Sequence, residues 1–180
     1  FIKRDAFFET NAKGVYVVGD ASGKYMLQHA AAYEVNNLGK ILLEECTEPL
    51  HFKYMPHAVF TEPEIASVGI TEQKAKEQNI QYVTTTTNWI ASAKAMSLRL
   101  DYPVTKFIIN PKNYEILGCH MIGPESSTMM HQVLAVMHIN NDVRHLKEML
   151  YIHPALSEAL LPAAVEAVRE VEKYNEKITS

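Results

Sequence analysis

Cysteine is scarce in this chain of 180 residues: there are two, Cys46 and Cys119, far apart and with neither a C-x-x-C nor a metal-ligand spacing. That argues against a disulfide framework and against a cysteine-based metal site, and no metal site is expected. Positive charge is not in excess either, since 17 Lys and Arg against 21 Asp and Glu leave a net charge of −4. With no basic cluster in the sequence, nothing points to nucleic acid. No apolar run approaches the roughly 18 residues of a membrane span, and no signal peptide pattern is present. A cytoplasmic protein without membrane or nucleic-acid partners is the expectation. An initiator methionine is also missing. The chain opens on "FIKRDAFFETNAKG" and runs at once into the apolar "VYVVGD", as expected of the C-terminal piece of a longer protein cut inside an earlier domain.

What is present is enough for a sizeable core, with 47% hydrophobic residues. "GVYVVGD" (14–20) predicts a strand entering a loop, and 25–45 predicts a helix from its alanines and leucines. "ECTEPLHFKYMP" breaks the pattern, which divides the chain into 1–50 and 51–180. Beyond it, "HAVF", "IASVGI", "QYVTTTTNWI", "VTKFIIN" and "EILGCHMIG" predict five strands. "NPKNYE" is turn chemistry, so the last two strands should form an antiparallel hairpin. Helices are predicted after Thr71, over 126–139, over 143–149 and after Pro154, with Pro162 delaying or kinking the last one. The fold class is α+β: a five-stranded antiparallel sheet with flanking helices, preceded by a strand–loop–helix segment.

Two places invite chemistry. Asp20 ends a strand and precedes "ASG" and a helix, so its carboxylate stands near unsatisfied helix N–H groups. It either accepts hydrogen bonds from a polyol or simply makes a turn, and Gly19 and Gly23 are open to the same two readings. His153 precedes Pro154, and Glu158 follows five residues later. A carboxylate on one imidazole nitrogen selects the tautomer and stabilises the imidazolium formed when the other takes a proton. The alternatives are a structural loop histidine and a first-turn acid on a helix. His29, His131 and His138 read as packing residues, and His51, His57, His120 and His145 lack ligand-like partners. Met129 and Met130 read as core, and Tyr33, Trp89 and Phe107 as buried aromatics.

Together, "GVYVVGDASG" (14–23), "VFTEPEIASVGITEQKAKE" (59–77), "YEILGCHMIGPESS" (114–127) and "IHPALSEAL" (152–160) resemble the FAD- and NAD(P)-dependent pyridine nucleotide-disulfide oxidoreductases. The His-Pro-x-x-x-Glu form is most similar to the dihydrolipoyl dehydrogenase branch. The resemblance implies that 1–50 is the tail of an FAD-binding domain and 51–180 the dimerisation domain of a homodimer. It implies that His153 is an acid/base donated in trans, that Glu158 orients it, and that Pro154 follows a cis bond beside the flavin. Gly19 and Asp20 would meet the FAD ribityl chain. The backbone of Met26, Leu27, Gln28, His29 and Ala30 would lie near the flavin pyrimidine edge. NAD(P) would bind a domain this sequence does not contain, and the substrate would be a thiol/disulfide pair, with dihydrolipoamide leading. Another disulfide or a metal ion as acceptor, or a non-catalytic dimerisation module, are the alternatives. The sequence departs from the family pattern in lacking the first glycine-rich fingerprint and the redox-active cysteine pair, and in having Lys94 where relatives often have arginine. The isolated chain is accordingly expected neither to retain FAD nor to turn over.

Overall fold

The alternation of apolar and polar residues beyond Pro56 is realised as a single sheet. A computed structural model describes residues 1–43 and 48–179 and divides them into two units, Phe1–Met55 and Pro56–Ser180. Cys46 lies outside the described residues.

In the second unit the strands are β1 (His57–Val59), β2 (Ile65–Gly69), β3 (Val83–Asn88), β4 (Val104–Ile109) and β5 (Ile116–Ile122). Their order in the sheet is β1-β2-β5-β4-β3, with every pairing antiparallel. All five predicted strands are present, and β4 and β5 form the expected hairpin. Its turn is held by the Asn110 side chain, which accepts from the Lys112 N–H at 3.0 Å. Registers place Val68, Cys119, Phe107 and Thr85 in one row across the sheet, and Ser67, His120, Lys106 and Thr86 in the next. Because side chains alternate between faces, the first row is buried core while the second is polar.

The helices are α1 (Gln28–Leu42) in the first unit, then α2 (Glu72–Glu77), α3 (Ala93–Ser97), α4 (Ser126–Ile139), α5 (Arg144–Glu148) and α6 (Leu160–Thr179). Thr71 caps α2 by accepting from the Lys74 N–H at 3.1 Å. α4 packs on β2 and β5, α6 packs on β3 and β4, and α5 packs on α6. The small residues Ala163, Ala164 and Ala167 of α6 are fully buried, so its backbone comes close to the sheet. Glu72 ties α2 to the polar row through Lys106 at 2.6 Å, with Lys76 at 3.1 Å.

Several expectations need correction. Residues 14–20 form no strand; the only pairing there is an isolated bridge between Glu9 and Tyr16. Among the described residues of that unit there is no second strand to extend a ladder. The helix expected from Tyr25 begins at Gln28. One expectation stands: the last helix starts late, since residues 156–159 form a 3₁₀ turn and α6 begins only at Leu160, with Pro162 in its first turn. First-turn N–H groups have no intrahelical partner, so a proline there costs little. Tyr33 is 64% exposed rather than buried, because the inward line of α1 is Ala30 and Glu34, one turn apart. His29, His131 and His138 are exposed rather than packed; the latter two share the outward face of α4, away from Met129, Met130 and Val133. Trp89 and Phe107 are fully buried, as expected.

Candidate active site

The loop between α5 and α6 brings His153 and Glu158 together. The His153–Pro154 peptide is cis. Residues 156–159 then form a single 3₁₀ turn, with Ala155 in the N-cap position and Glu158 at its third residue. Alanine has no side-chain oxygen to cap with, and Glu158 supplies the reciprocal half of a capping box instead. Its Oε2 accepts the Ala155 N–H at 2.9 Å, and its Oε1 lies 2.8 Å from His153 Nδ1. The backbone bond and then the histidine hold the Glu158 carboxyl below the usual carboxylate range. An ionised carboxylate only accepts, so Nδ1 carries a proton and, in the neutral ring, the lone pair is on Nε2.

Exposure separates the two partners. The imidazole is 67% exposed and the carboxylate only 20%. The ring is therefore presented to whatever approaches the loop, while the group that orients it is fixed. On the N-terminal side the Tyr151 hydroxyl donates to the Leu146 carbonyl at 2.8 Å, and burial pushes its pKa up to about 12. On the other side Ser92 donates to the Ala155 carbonyl at 3.2 Å. Chemically, the arrangement can take and return a proton at Nε2 while a carboxylate balances the imidazolium.

The other predicted residues lie in the first unit. Gly19 and Asp20 open a 3₁₀ turn, Gly19–Ser22, closed by Gly23 donating to the Asp20 carbonyl at 3.0 Å. Gly19 has φ +65°, and a Cβ there would stand 3.1 Å from that of Ala31, so the turn lies directly on α1. Two residues that the sequence did not single out hold it. Glu34, 2% exposed, accepts the Gly19 N–H at 2.7 Å and pairs with Arg4 at 2.5 Å; Arg4 also donates to the Val17 carbonyl at 3.2 Å. The signal available was Glu34 standing four residues after Ala30 on an alanine-rich helix, a carboxylate on the buried line. Asp20 and Met26 are exposed, and no side chain caps the start of α1 at Leu27–Gln28. A presented carboxylate and an uncapped helix start suit a ligand with hydroxyl groups and electron-rich carbonyls.

Of the remaining histidines, His120 is satisfied within the sheet. It donates from Nε2 to the Ile70 carbonyl at 3.0 Å and accepts from the Ser67 hydroxyl at 3.1 Å, and burial holds it below the usual histidine range. Among the described residues no group of three His, Cys, Asp or Glu side chains is placed to hold a metal ion. No helix among them is long and apolar enough to cross a membrane.

Residues 55–164 match the model of the pyridine nucleotide-disulphide oxidoreductase dimerisation domain, over more than half of the chain. The chain belongs to that family. It is 32% identical over 168 residues to a dihydrolipoyl dehydrogenase of Rhizobium etli, which covers 93% of this chain and 35% of that protein. It is 29% identical over 167 residues to dihydrolipoyl dehydrogenase 3 of Haloarcula marismortui, with the same two coverages. The chain thus spans about a third of the length of the curated relatives it matches. Among solved structures, LpdA of Mycobacterium tuberculosis shares the fold with a TM-score of 0.82 at 23% identity, covering 92% of this chain and 36% of that one. RclA of Escherichia coli, a HOCl-induced flavoprotein disulfide reductase, superposes with a TM-score of 0.80 at 25% identity, covering 87% of this chain and 36% of its own. The five-stranded antiparallel sheet with flanking helices is the family's dimerisation fold.

Proposed function

We propose that this chain is the C-terminal part of an FAD- and NAD(P)-dependent oxidoreductase that moves electrons between the nicotinamide and a thiol/disulfide pair, dihydrolipoamide being the leading substrate. Residues 1–50 are read as the end of the FAD-binding domain and 51–180 as the dimerisation domain of a homodimer. The carrying observation is the pair His153–Glu158, an exposed imidazole bound at 2.8 Å to a carboxylate that a backbone N–H also holds. That geometry favours an acid/base over a structural histidine, which would be buried without a carboxylate partner.

In this reading His153 takes a proton from the dithiol at Nε2 and returns it in the reverse direction, acting on the partner subunit's site. Glu158 keeps Nδ1 protonated throughout, so only Nε2 changes state. Bound FAD would supply the two-electron acceptor between the dithiol and the nicotinamide. Gly19 and Asp20 would meet its ribityl chain, and the backbone leading into and opening α1 (Met26, Leu27, Gln28, His29 and Ala30) would face its pyrimidine edge. Pro154 would place the His153 carbonyl beside the flavin.

A copper(II) complex is known for RclA, which supports keeping a flavin reductase with another acceptor as the second reading. The test of the first is His153→Gln in the full-length flavoenzyme. Turnover with dihydrolipoamide and NAD should fall by about 10²- to 10⁴-fold, the usual worth of a positioned acid/base. Wild-type turnover in that variant removes the acid/base assignment. Activity with a disulfide other than lipoamide alone would transfer the proposal to the second reading.

A further inference from the structure

The loop that presents His153 is not held by its own residues alone. Ser92, 1% exposed, ends the 3₁₀ turn of residues 89–91 and caps α3. Its hydroxyl donates to the Ala155 carbonyl at 3.2 Å, across 63 residues of sequence. The same residue, Ala155, gives its N–H to Glu158, and Glu158 holds the imidazole. Both polar groups of one backbone residue are therefore engaged, the N–H by the carboxylate and the carbonyl by Ser92 and, at 3.3 Å, by the Glu158 N–H of the turn itself.

Ser92 in turn has a fixed base. Its N–H donates to the Trp89 carbonyl at 2.8 Å, and the Trp89 N–H donates to the Pro103 carbonyl at 3.1 Å. The Trp89 indole, with no exposed surface, donates to Thr105 Oγ1 at 2.8 Å, on β4. A line of hydrogen-bonded residues thus runs from Thr105 near the start of β4 through Trp89 and Ser92 to Ala155, Glu158 and the ring of His153. A buried hydroxyl whose single long-range bond lands on this peptide has a directional duty that burial alone does not require of it. A small apolar residue would fill the same space.

We propose that Ser92 is a positioning residue for His153, anchoring the Ala155 backbone at the start of the turn and so fixing the Glu158 carboxylate and with it the protonated Nδ1 tautomer of the imidazole. The proposal rests on the reading of His153 as the acid/base. The Ala155 carbonyl keeps its 3.3 Å bond from the Glu158 N–H, so without the Ser92 bond the turn has lost its anchor to the rest of the domain rather than its own closure. Glu158 is then held less firmly, and the ring samples the Nε2–H tautomer that free imidazole prefers. That tautomer has no lone pair on the outward nitrogen, so it cannot accept the substrate proton.

The test is Ser92→Ala, read in two ways. In the ¹⁵N-histidine-labelled chain at about pH 9, where imidazoles are neutral, the His153 ring shifts should change from a predominantly protonated Nδ1 toward a mixture of tautomers; His153→Gln assigns the signals. In the full-length flavoenzyme, kcat should fall about 5- to 10-fold with KM unchanged, the worth of one hydrogen bond. If Ser92→Ala does not fold, Ser92→Cys, which has nearly the same volume and is a poor donor, is held to the same criteria. A folded variant with unchanged ring shifts and unchanged kcat, whatever its melting temperature, overturns the proposal and leaves Ser92 as the cap of α3. Wild-type turnover in His153→Gln overturns the acid/base reading alone, because the ring shifts report on Ser92 independently of turnover.

Discussion

Glu158 closes on His153 at 2.8 Å although five residues separate them and neither lies on a regular α-helix. The 3₁₀ turn winds more tightly than an α-helix, so its third residue points back over the N-cap. One carboxylate then serves two donors, a side chain and the peptide N–H next to Pro154. Orientation of the ring and start of the turn are one structural event.

Substitution at Glu158 should therefore cost both. Glu158→Gln is expected to lower kcat of the full-length enzyme by less than His153→Gln does, because the ring remains while its charge partner is gone. The pH dependence follows from the depressed carboxyl. Its stabilising contribution is complete above the ordinary range near pH 4.5 and is lost as pH falls through the lowered native value. Melting curves of wild type and Glu158→Gln should differ at pH 7 and converge in acid. A difference that persists unchanged below the native value would contradict the ion-pair account.

Glu72 should govern a second acid transition. Lys106, Lys76 and the Tyr82 hydroxyl hold its pKa down to about 2 from an ordinary 4.5. With the folded value depressed, stability is fully present above pH 4.5 and drains away toward pH 2. Glu72→Gln should flatten the stability profile across that window, and raising the salt should shrink the wild-type slope, since the pair lies near solvent. Urea titrations at half-unit pH steps measure both.

Breaking the Arg4–Glu34 pair should loosen the Gly19–Ser22 turn. Arg4→Met leaves a carboxylate buried without its cation, at a local cost of about 3–5 kcal/mol. Arg4→Met with Glu34→Gln should recover most of that, because the amide oxygen still accepts the Gly19 N–H and no charge is stranded. Amide hydrogen exchange at Val17–Gly19 reads the local opening directly. Equal exchange in the single and double variants would show that the charge is not what holds the turn.

The sheet and the His–Pro loop were legible because their signals are local. Alternation marks strands such as Ile65–Gly69 and Val104–Ile109, and the turn residues of "NPKNYE" mark a hairpin. His153 and Glu158 are close enough in sequence for one turn to bring them together. The long-range support was not legible. Ser92 lies just beyond the predicted strand "QYVTTTTNWI", and its partner is a backbone carbonyl 63 residues away. Arg4 and Glu34 are 30 residues apart and meet only because α1 folds back on the opening segment. The apolar run "VYVVGD" misled for the opposite reason. Strand propensity is expressed only beside a partner strand, and the described residues of that unit offer a single bridge.

The strand order carries a consequence for how the chain must be assembled. β1 with β2, and β3 with β4, can each pair as soon as they are made, but β5 lies between these ribbons and is the last strand in sequence. Until Ile122 has left the ribosome the two ribbons have no common core, and each presents an open inner edge. The sheet is thus joined late and all at once, and α6, which covers β3 and β4, arrives later still. A nascent chain halted before β5 would expose the residues that the finished domain buries most completely, Phe107 and Ile108 among them. Here β5 is less a fifth strand than the splice that makes one domain of two ribbons.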